Sequence, residues 1–490
     1  MAFSKTPTQD TYDTKRFPLV GSPQQRDGLA TSNLKDQRFQ NCYVEAIKAQ
    51  LTEAKKYFCK KRNGLNRVVN PGLGVARGIL FEETVGKVYM VLGTTLCYWN
   101  GTSVVTLQTG IANNPNPVGF TAHLTTSVSV IMVTGTTGYV INVSTDAVTQ
   151  ITDPDFPNPH LPFPISMDGY LFLAKSSSAD IYNSDLDDPL AWDPSNFITA
   201  EMYPDNIIAL TKNNNYLVAV GTGSMEYFYD IGNATGSPLQ RNDSAVQQMG
   251  TTAPYSLVQT EKEVVLVATT ANGGRTVWVV EGFGATEIGF PPVNEQINNV
   301  STTIASVNAF CIRVGGHKFY VLRFPTLNRS WAYDFDTKLW SEWSSTTTLG
   351  AQAIFLGKYA TDSNNGFPYM LSDDGILFLM ADQIYQDDGR MIQTQITTLK
   401  LDFDNMNRKF MYRASVYGDW PDNTTSTILL EWTDDDYRTW KGQRTIQLSS
   451  DTPWTRNLGW SRRRAFRLTH TDNTPWRVEG MELDINNGAS

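Results

Sequence analysis

The stretch from Lys87 to Leu107, KVYMVLGTTLCYWNGTSVVTL, carries a pattern that returns along the chain. It reads as three short strands rich in β-branched and aromatic residues. Gly93-Thr94 and Asn100-Gly101 divide them, the latter being the strongest short hairpin signal. Looser copies recur at 169–182, 216–229, 264–280, 319–343 and 369–379. A meander repeated roughly every 40 residues predicts a β-propeller or a related all-β array. A blade cannot bury both faces of its own sheet, so its neighbours must supply the core. Counting strand groups gives six or seven blades between residues 71 and 385.

The flanks differ from this repeat. Residues 1–70 include Phe17-Pro-Leu-Val-Gly-Ser-Pro23, an extended, proline-punctuated segment that suggests an arm lying on a neighbouring surface. Residues 44–56 have helical propensity, but both flanks alternate and no capping box is present, so a hairpin with a polar insertion is the preferred reading. From 386 to 490 alternating strands follow at 392–402, 409–417, 428–432, 444–448, 465–469 and 476–484, which predicts a β-sandwich-like domain.

Composition narrows the function classes. The chain has 490 residues, 41% hydrophobic and 18% charged, with a formal net charge of −9. That balance supplies real cores and gives no global reason for tight, non-specific nucleic-acid binding. No apolar run reaches the length of about 18 residues that a membrane helix needs, and the first residues lack a secretory h-region, so neither is expected. Cys42, Cys59, Cys97 and Cys311 are widely spaced and read as buried thiols. His123, His160, His317 and His470 have no ligand-spaced neighbours. No nucleophile elbow, P-loop or metal motif is present, so the chain is expected to be no enzyme, with no cofactor and no metal. Thr433-Asp-Asp-Asp-Tyr-Arg-Thr-Trp440 is similar to the Asp-box hairpin of sialidase-type propellers, with Tyr437 where that pattern wants Gly; its role there is structural. Asp187-Asp188, Asp373-Asp374 and Asp387-Asp388 fall at turns, where Asp bonds its own backbone.

Two basic clusters stand out. One contains Lys60, Lys61 and Arg62; the other contains Arg462, Arg463, Arg464 and Arg467 beside Trp460. Read as one alternating strand, the second would place Arg462 and Arg464 on one face and Arg463 and Arg467 on the other. Both clusters, with Phe17 of the arm, are candidate contacts with a neighbouring subunit or a partner protein rather than grips on DNA.

Three segments carry a resemblance. Phe39-Gln-Asn-Cys-Tyr-Val-Glu45 leads to Val69-Asn-Pro-Gly-Leu-Gly74; Asp205-Asn-Ile-Ile-Ala-Leu210 runs into Gly221-Thr-Gly-Ser-Met-Glu-Tyr-Phe228; and Gly459-Trp-Ser-Arg-Arg-Arg-Ala-Phe-Arg-Leu468 closes on Met481-Glu-Leu-Asp484. Their order and spacing resemble the tail hub, or nozzle, proteins of short-tailed bacteriophages, also called packaged-DNA stabilisation proteins. The insertion at 46–56 departs from that pattern. The resemblance implies a virion protein, made in the bacterial host cytoplasm. It implies a homo-hexameric ring below the portal and its adaptor, the head-to-tail connector. Tail fibre, spike or needle proteins would attach to the ring, and double-stranded DNA would pass through it without sequence-specific binding. The alternative is a carbohydrate-binding or glycosidase-like propeller, supported by the Asp-box look-alike and the 12 tryptophans.

Overall fold

A computed structural model describes residues 13–20, 38–48, 55–112, 114–125, 127–233, 235–270, 274–361, 368–422, 424–449 and 453–488. The chain forms two compact units. One comprises Asn66–Ala332 with Ile354–Met380; the other comprises Met1–Leu65, Tyr333–Ala353 and Ala381–Ser490.

The first unit is a propeller. Its first blade is the meander Ala76–Glu82, Lys87–Leu92, Thr95–Trp99 and Val104–Thr109, antiparallel throughout. The Asn100-Gly101 turn forms where the sequence places it: Asn100 Oδ1 accepts the N–H groups of Thr102 and Ser103, and Gly101 takes a φ of 93°. Six further sheets follow. The first strands of successive sheets touch in order, Ala76–Glu82 to Gly119–Leu124, Ile165–Met167 and Ile207–Asn213. The series continues through Val258–Gln259 to Asn308–Val314 and Gly357–Ala360, and that last strand returns to Ala76–Glu82. The cycle closes with seven blades. Gly64–Val69, from early in the chain, completes the seventh sheet beside Leu377–Ala381.

Period-two alternation explains why the blades need one another. Along Lys87–Leu92, Tyr89 and Val91 enter one core with Val130 and Met132 of the second blade. Val88, Met90 and Leu92 enter another with Leu371 and Leu377 of the seventh. Every second side chain thus belongs to a different interface. Among the described residues, no helix is long and apolar enough to cross a membrane.

The second unit has two sheets around one core. One sheet runs Cys42–Lys48, Lys55–Lys61, Arg477–Asn487, Lys409–Asp419, Trp454–Ser461, with Asp13–Pro18 also on Arg477–Asn487. In the other, Arg38–Gln40, Thr394–Thr397, Ala465–His470, Thr427–Thr433 and Lys441–Gln447 lie side by side. Phe39, Val44, Leu430, Trp432, Phe466, Val478 and Leu483 share the core. The hairpin reading holds, with Val44 opposite Cys59.

The boundaries at 70 and 386 lie close to the unit edges at 65/66 and 380/381, but the grouping differs, because the amino-terminal segment and 333–353 share a unit with the carboxy-terminal strands. The amino-terminal segment lends strands to the carboxy-terminal unit: Phe17 pairs with Met481 and Arg38 with Thr397. Such pairings span more than 300 residues and leave no local trace. In its described residues the arm is a strand on its own chain's sheet; residues 1–12 and 21–37 lie outside the described part.

Candidate functional site

The first basic cluster is spent inside the fold. Arg62 is fully buried and forms a bidentate pair with Asp387, Nη1–Oδ1 at 2.9 Å and Nη2–Oδ2 at 2.5 Å. Its Nε donates to Asn41 Oδ1, and Nη2 donates to the Ser344 carbonyl at 2.8 Å. Asn41 accepts this bond from a left-handed backbone, φ 53°. Lys60 donates to Glu45 Oε1, and Arg477 Nε donates to the other oxygen of that carboxylate. Burial opposes ionisation of Glu45, but Lys60 and Arg477 outweigh it and hold the carboxyl below its usual range. Lys61 and Arg62, expected on an interaction surface, are therefore corrected to core residues.

Lys61 has an unusual setting. Its fully buried ammonium donates to the Asp472 carbonyl at 2.7 Å and lies 3.4 Å from His470 Nδ1. Burial, then the Arg62 charge, push Lys61 down to about 7. Burial, then Lys61, push His470 down to about 3. His470 stacks on Trp476 and hydrogen-bonds the Ser426 hydroxyl at 2.8 Å. The sign follows from linkage. Between pH 7 and the ordinary lysine value the unfolded chain binds the Lys61 proton and the fold does not, so this group makes stability rise with pH there. For His470 the contribution is lost as pH falls from about 6.5 towards 3. Lys61→Met is expected to flatten the rise of the unfolding temperature between pH 7 and 10, measured by calorimetry. An unchanged slope would show that Lys61 is charged in the fold.

The second cluster is not one alternating strand. Trp454–Ser461 ends before Arg462, Arg462 and Arg463 form the bend, and Ala465–His470 begins after Arg464. Arg464 turns inward, almost fully buried, and chelates Asp434 through Nε at 2.7 Å and Nη2 at 2.9 Å. Its Nη1 donates to the Leu458 carbonyl. Arg467 pairs with Glu431 at 2.7 Å and lies over Trp440 at 4.2 Å. Arg462 donates to the Met406 carbonyl. Two of the four arginines thus hold the fold. Phe17 rests against Phe466 and Phe403, also within its own unit. Trp460 alone of the named aromatics is well exposed, at 51%, with Arg408 stacked on its ring at 4.3 Å.

That stack belongs to a surface of which the sequence singled out only the Trp460 end. The outer face of the six-stranded sheet carries a compensated charge ladder: Arg16 with Glu482, and Arg413 with Glu482 and Asp484. Beside it a groove of about 220 Å³ is lined by Arg16, Arg413, Tyr417, Trp420, Trp454 and Glu482.

The remaining motifs are structural. In Gly221-Thr-Gly-Ser-Met-Glu-Tyr-Phe228, Tyr227 and Phe228 fill the cores on either side of the fourth blade. Glu226 is almost fully buried and accepts the Met202 N–H at 3.0 Å. Asp205 caps the same turn, accepting from Gly223 N and Ser224 Oγ, each at 2.8 Å. In the Asp-box look-alike Asp435 accepts from Thr439 N and from Thr433 Oγ1, and Tyr437 holds a left-handed φ of 65°. All four cysteines are free and buried. His160 bonds the Pro157 carbonyl, and burial pushes it down to about 4.

Comparison with known proteins adds the lineage. The β-propeller family described by Gp10 of bacteriophage P22 matches residues 37–355, well over half of the chain. No curated protein matches. Among solved structures, the extracellular domain of a putative one-component system from B. thetaiotaomicron is 12% identical, at a TM-score of 0.44. The match covers 81% of this chain but only 48% of that one, about half its length. A catalytically inactive virginiamycin B lyase from Staphylococcus aureus is also 12% identical, at 0.45, over 65% of this chain and 99% of the lyase. The Cps50 (Swd1) propeller of Myceliophteria thermophila is 10% identical, at 0.42, over 65% of this chain and 99% of the propeller. These structural likenesses carry no functional argument. The family match does, and it makes this chain a member of the phage stabilisation family of P22 Gp10 type, a structural protein of the phage particle.

Proposed function

We propose that this chain is the non-enzymatic hub subunit of a short phage tail. It forms a hexameric ring below the portal and adaptor and continues the channel through which double-stranded DNA leaves. The ring helps retain the packaged genome until ejection, and fibres, spikes or a needle plug dock on it. The observation that carries this reading is the family match through 37–355, which takes in six of the seven blades and the Gly64–Val69 strand of the seventh. The side-chain chemistry agrees with a scaffold: Lys61, Arg62, Arg464 and Arg467 are spent on internal bonds rather than offered to phosphates. A chain of net charge −9 suits a conduit, because a basic bore would grip DNA through counterion release.

Electron-microscopic imaging of tail particles tests the ring. Six-fold density for this chain is the expected result, and monomers or dimers in assembled tails would overturn it. A potential map of the bore is expected to show acidic turns over-represented; a continuous basic stripe would contradict the conduit reading. A glycan array and a hydrolysis screen on the isolated chain are expected to be blank, whereas saccharide turnover would establish the carbohydrate-active alternative.

A further inference from the structure

We propose that the arginine–tryptophan edge of the six-stranded sheet is a docking surface for a second copy of this chain, engaged through the Asp185–Asp188 turn of that copy's propeller. The inference rests on the ring reading above and names the surfaces that would close it.

The edge has the chemistry of an unoccupied contact. Among the described residues, Trp454–Ser461 is the last strand of its sheet and pairs there only with Lys409–Asp419. Trp454, Trp460 and Phe410 are 42%, 51% and 38% exposed. Arg456 lies over Trp454 at 4.4 Å and Arg408 over Trp460 at 4.3 Å. Among the described residues neither arginine pairs with a carboxylate, nor does Arg463 on the adjoining bend. Exposed tryptophan and arginine together are the residues in which binding energy concentrates. A guanidinium stacked on an aromatic face can still offer its in-plane N–H groups to a carboxylate. A ring face already covered by a cation is a poor platform for a sugar, so the partner this edge suits is an acidic protein segment.

The chain itself carries such a segment. Of the three aspartate doublets, Asp373 is bound by Arg323 and Asp387 by Arg62. Asp187 and Asp188 have no cation partner among the described residues. Between Asp185 and Asp187 stands Leu186, 57% exposed, with Asp187 in the left-handed region at φ 59°. An apolar tip between unpaired carboxylates complements an apolar edge capped by arginines. A cyclic ring requires two different patches on each subunit. The edge lies in one unit of the chain and the turn in the other.

Charge reversal in tail particles tests this. Arg408→Glu with Arg456→Glu is expected to lower incorporation of the chain into tails by roughly 100-fold, the size expected when two close charge pairs turn repulsive. Asp187→Arg with Asp188→Arg is expected to do the same. All four changes in one chain are expected to restore incorporation to within about tenfold, since each contact pairs the edge of one copy with the turn of the next. As a second measurement, Trp460→Cys and Leu186→Cys placed on separate chains are expected to cross-link on oxidation, the native thiols being buried. Rings that form normally with a reversed edge, or failure of the fourfold swap in a chain that unfolds at the wild-type temperature, would overturn the docking surface alone. Tails without any wild-type ring would overturn the hub reading instead.

Discussion

Arg62→Ala is expected to destabilise the unit that contains it by about 3–5 kcal/mol, among the largest effects a single change in this chain can have. Three facts set that size. Both partners are fully excluded from water, the guanidinium chelates Asp387 through two nitrogens, and its other donors are taken up by Asn41, Asn63 and Ser344. Truncation leaves Asp387 as a buried carboxylate whose remaining side-chain hydrogen bond among the described residues comes from the Ser345 hydroxyl at 3.1 Å. For a unit of this size the loss corresponds to a fall of roughly 6–20 °C in its unfolding temperature. Calorimetry is the right measurement, because a chain of two compact units need not unfold in one step. Replacing both partners together, Arg62→Met with Asp387→Leu, is expected to recover most of the loss, since no charge is then stranded. A single variant melting within about 1 °C of the parent would mean that water reaches Asp387 and that the pair is weaker than its burial implies.

That ion pair also shows where the sequence stops being informative. The propeller was legible because its signal is local: strand, Asn-Gly turn, strand, repeated at a fixed spacing. The blade count was not, since the seventh sheet takes a strand from residues 64–69 and closes on a strand more than 300 residues away. Arg62 and Asp387 are 325 positions apart, so a buried pair looks in the sequence like a basic cluster and an acidic turn. Arg462 to Arg464 misled for a different reason. Alternation between Trp460 and Phe466 suggested one continuous strand, but a bend intervenes and turns Arg464 inward to Asp434. Of the exposed edge only Trp460 and Arg463 were singled out, because Arg408 and Trp460 meet only across paired strands; Phe410 opposite Trp460 is the register that joins them. Aromatic and arginine residues alternating in both 408–413 and 454–460 were the available sign.

Gly250→Ala is expected to cost about 1–3 kcal/mol, towards the upper end, although alanine is the mildest substitution a glycine can receive. A Cβ at this position would lie 2.4 Å from Gly223 N, 2.4 Å from the Thr222 carbonyl carbon and 2.5 Å from Gly221 O. All three are backbone atoms, which cannot swing aside as a side chain would. They are also held from the other side: Thr251 N donates to Gly221 O at 2.9 Å, and Asp205 fixes Gly223 and Ser224. The chain at 247–251 therefore lies directly on the turn of the 221–228 segment, joining the fourth blade to the fifth through the mutual bonds of Met225 and Gln247. Glycine is required here by close approach, not by a left-handed backbone. Gly223→Ala supplies the control, since no atom stands within 4 Å of its Cβ position, and its cost is expected to stay below about 0.5 kcal/mol. Thermal unfolding of the two variants side by side decides the matter. If they melt together, the turn and the strand beneath it move apart without penalty, and close packing of the two blades does not require glycine here.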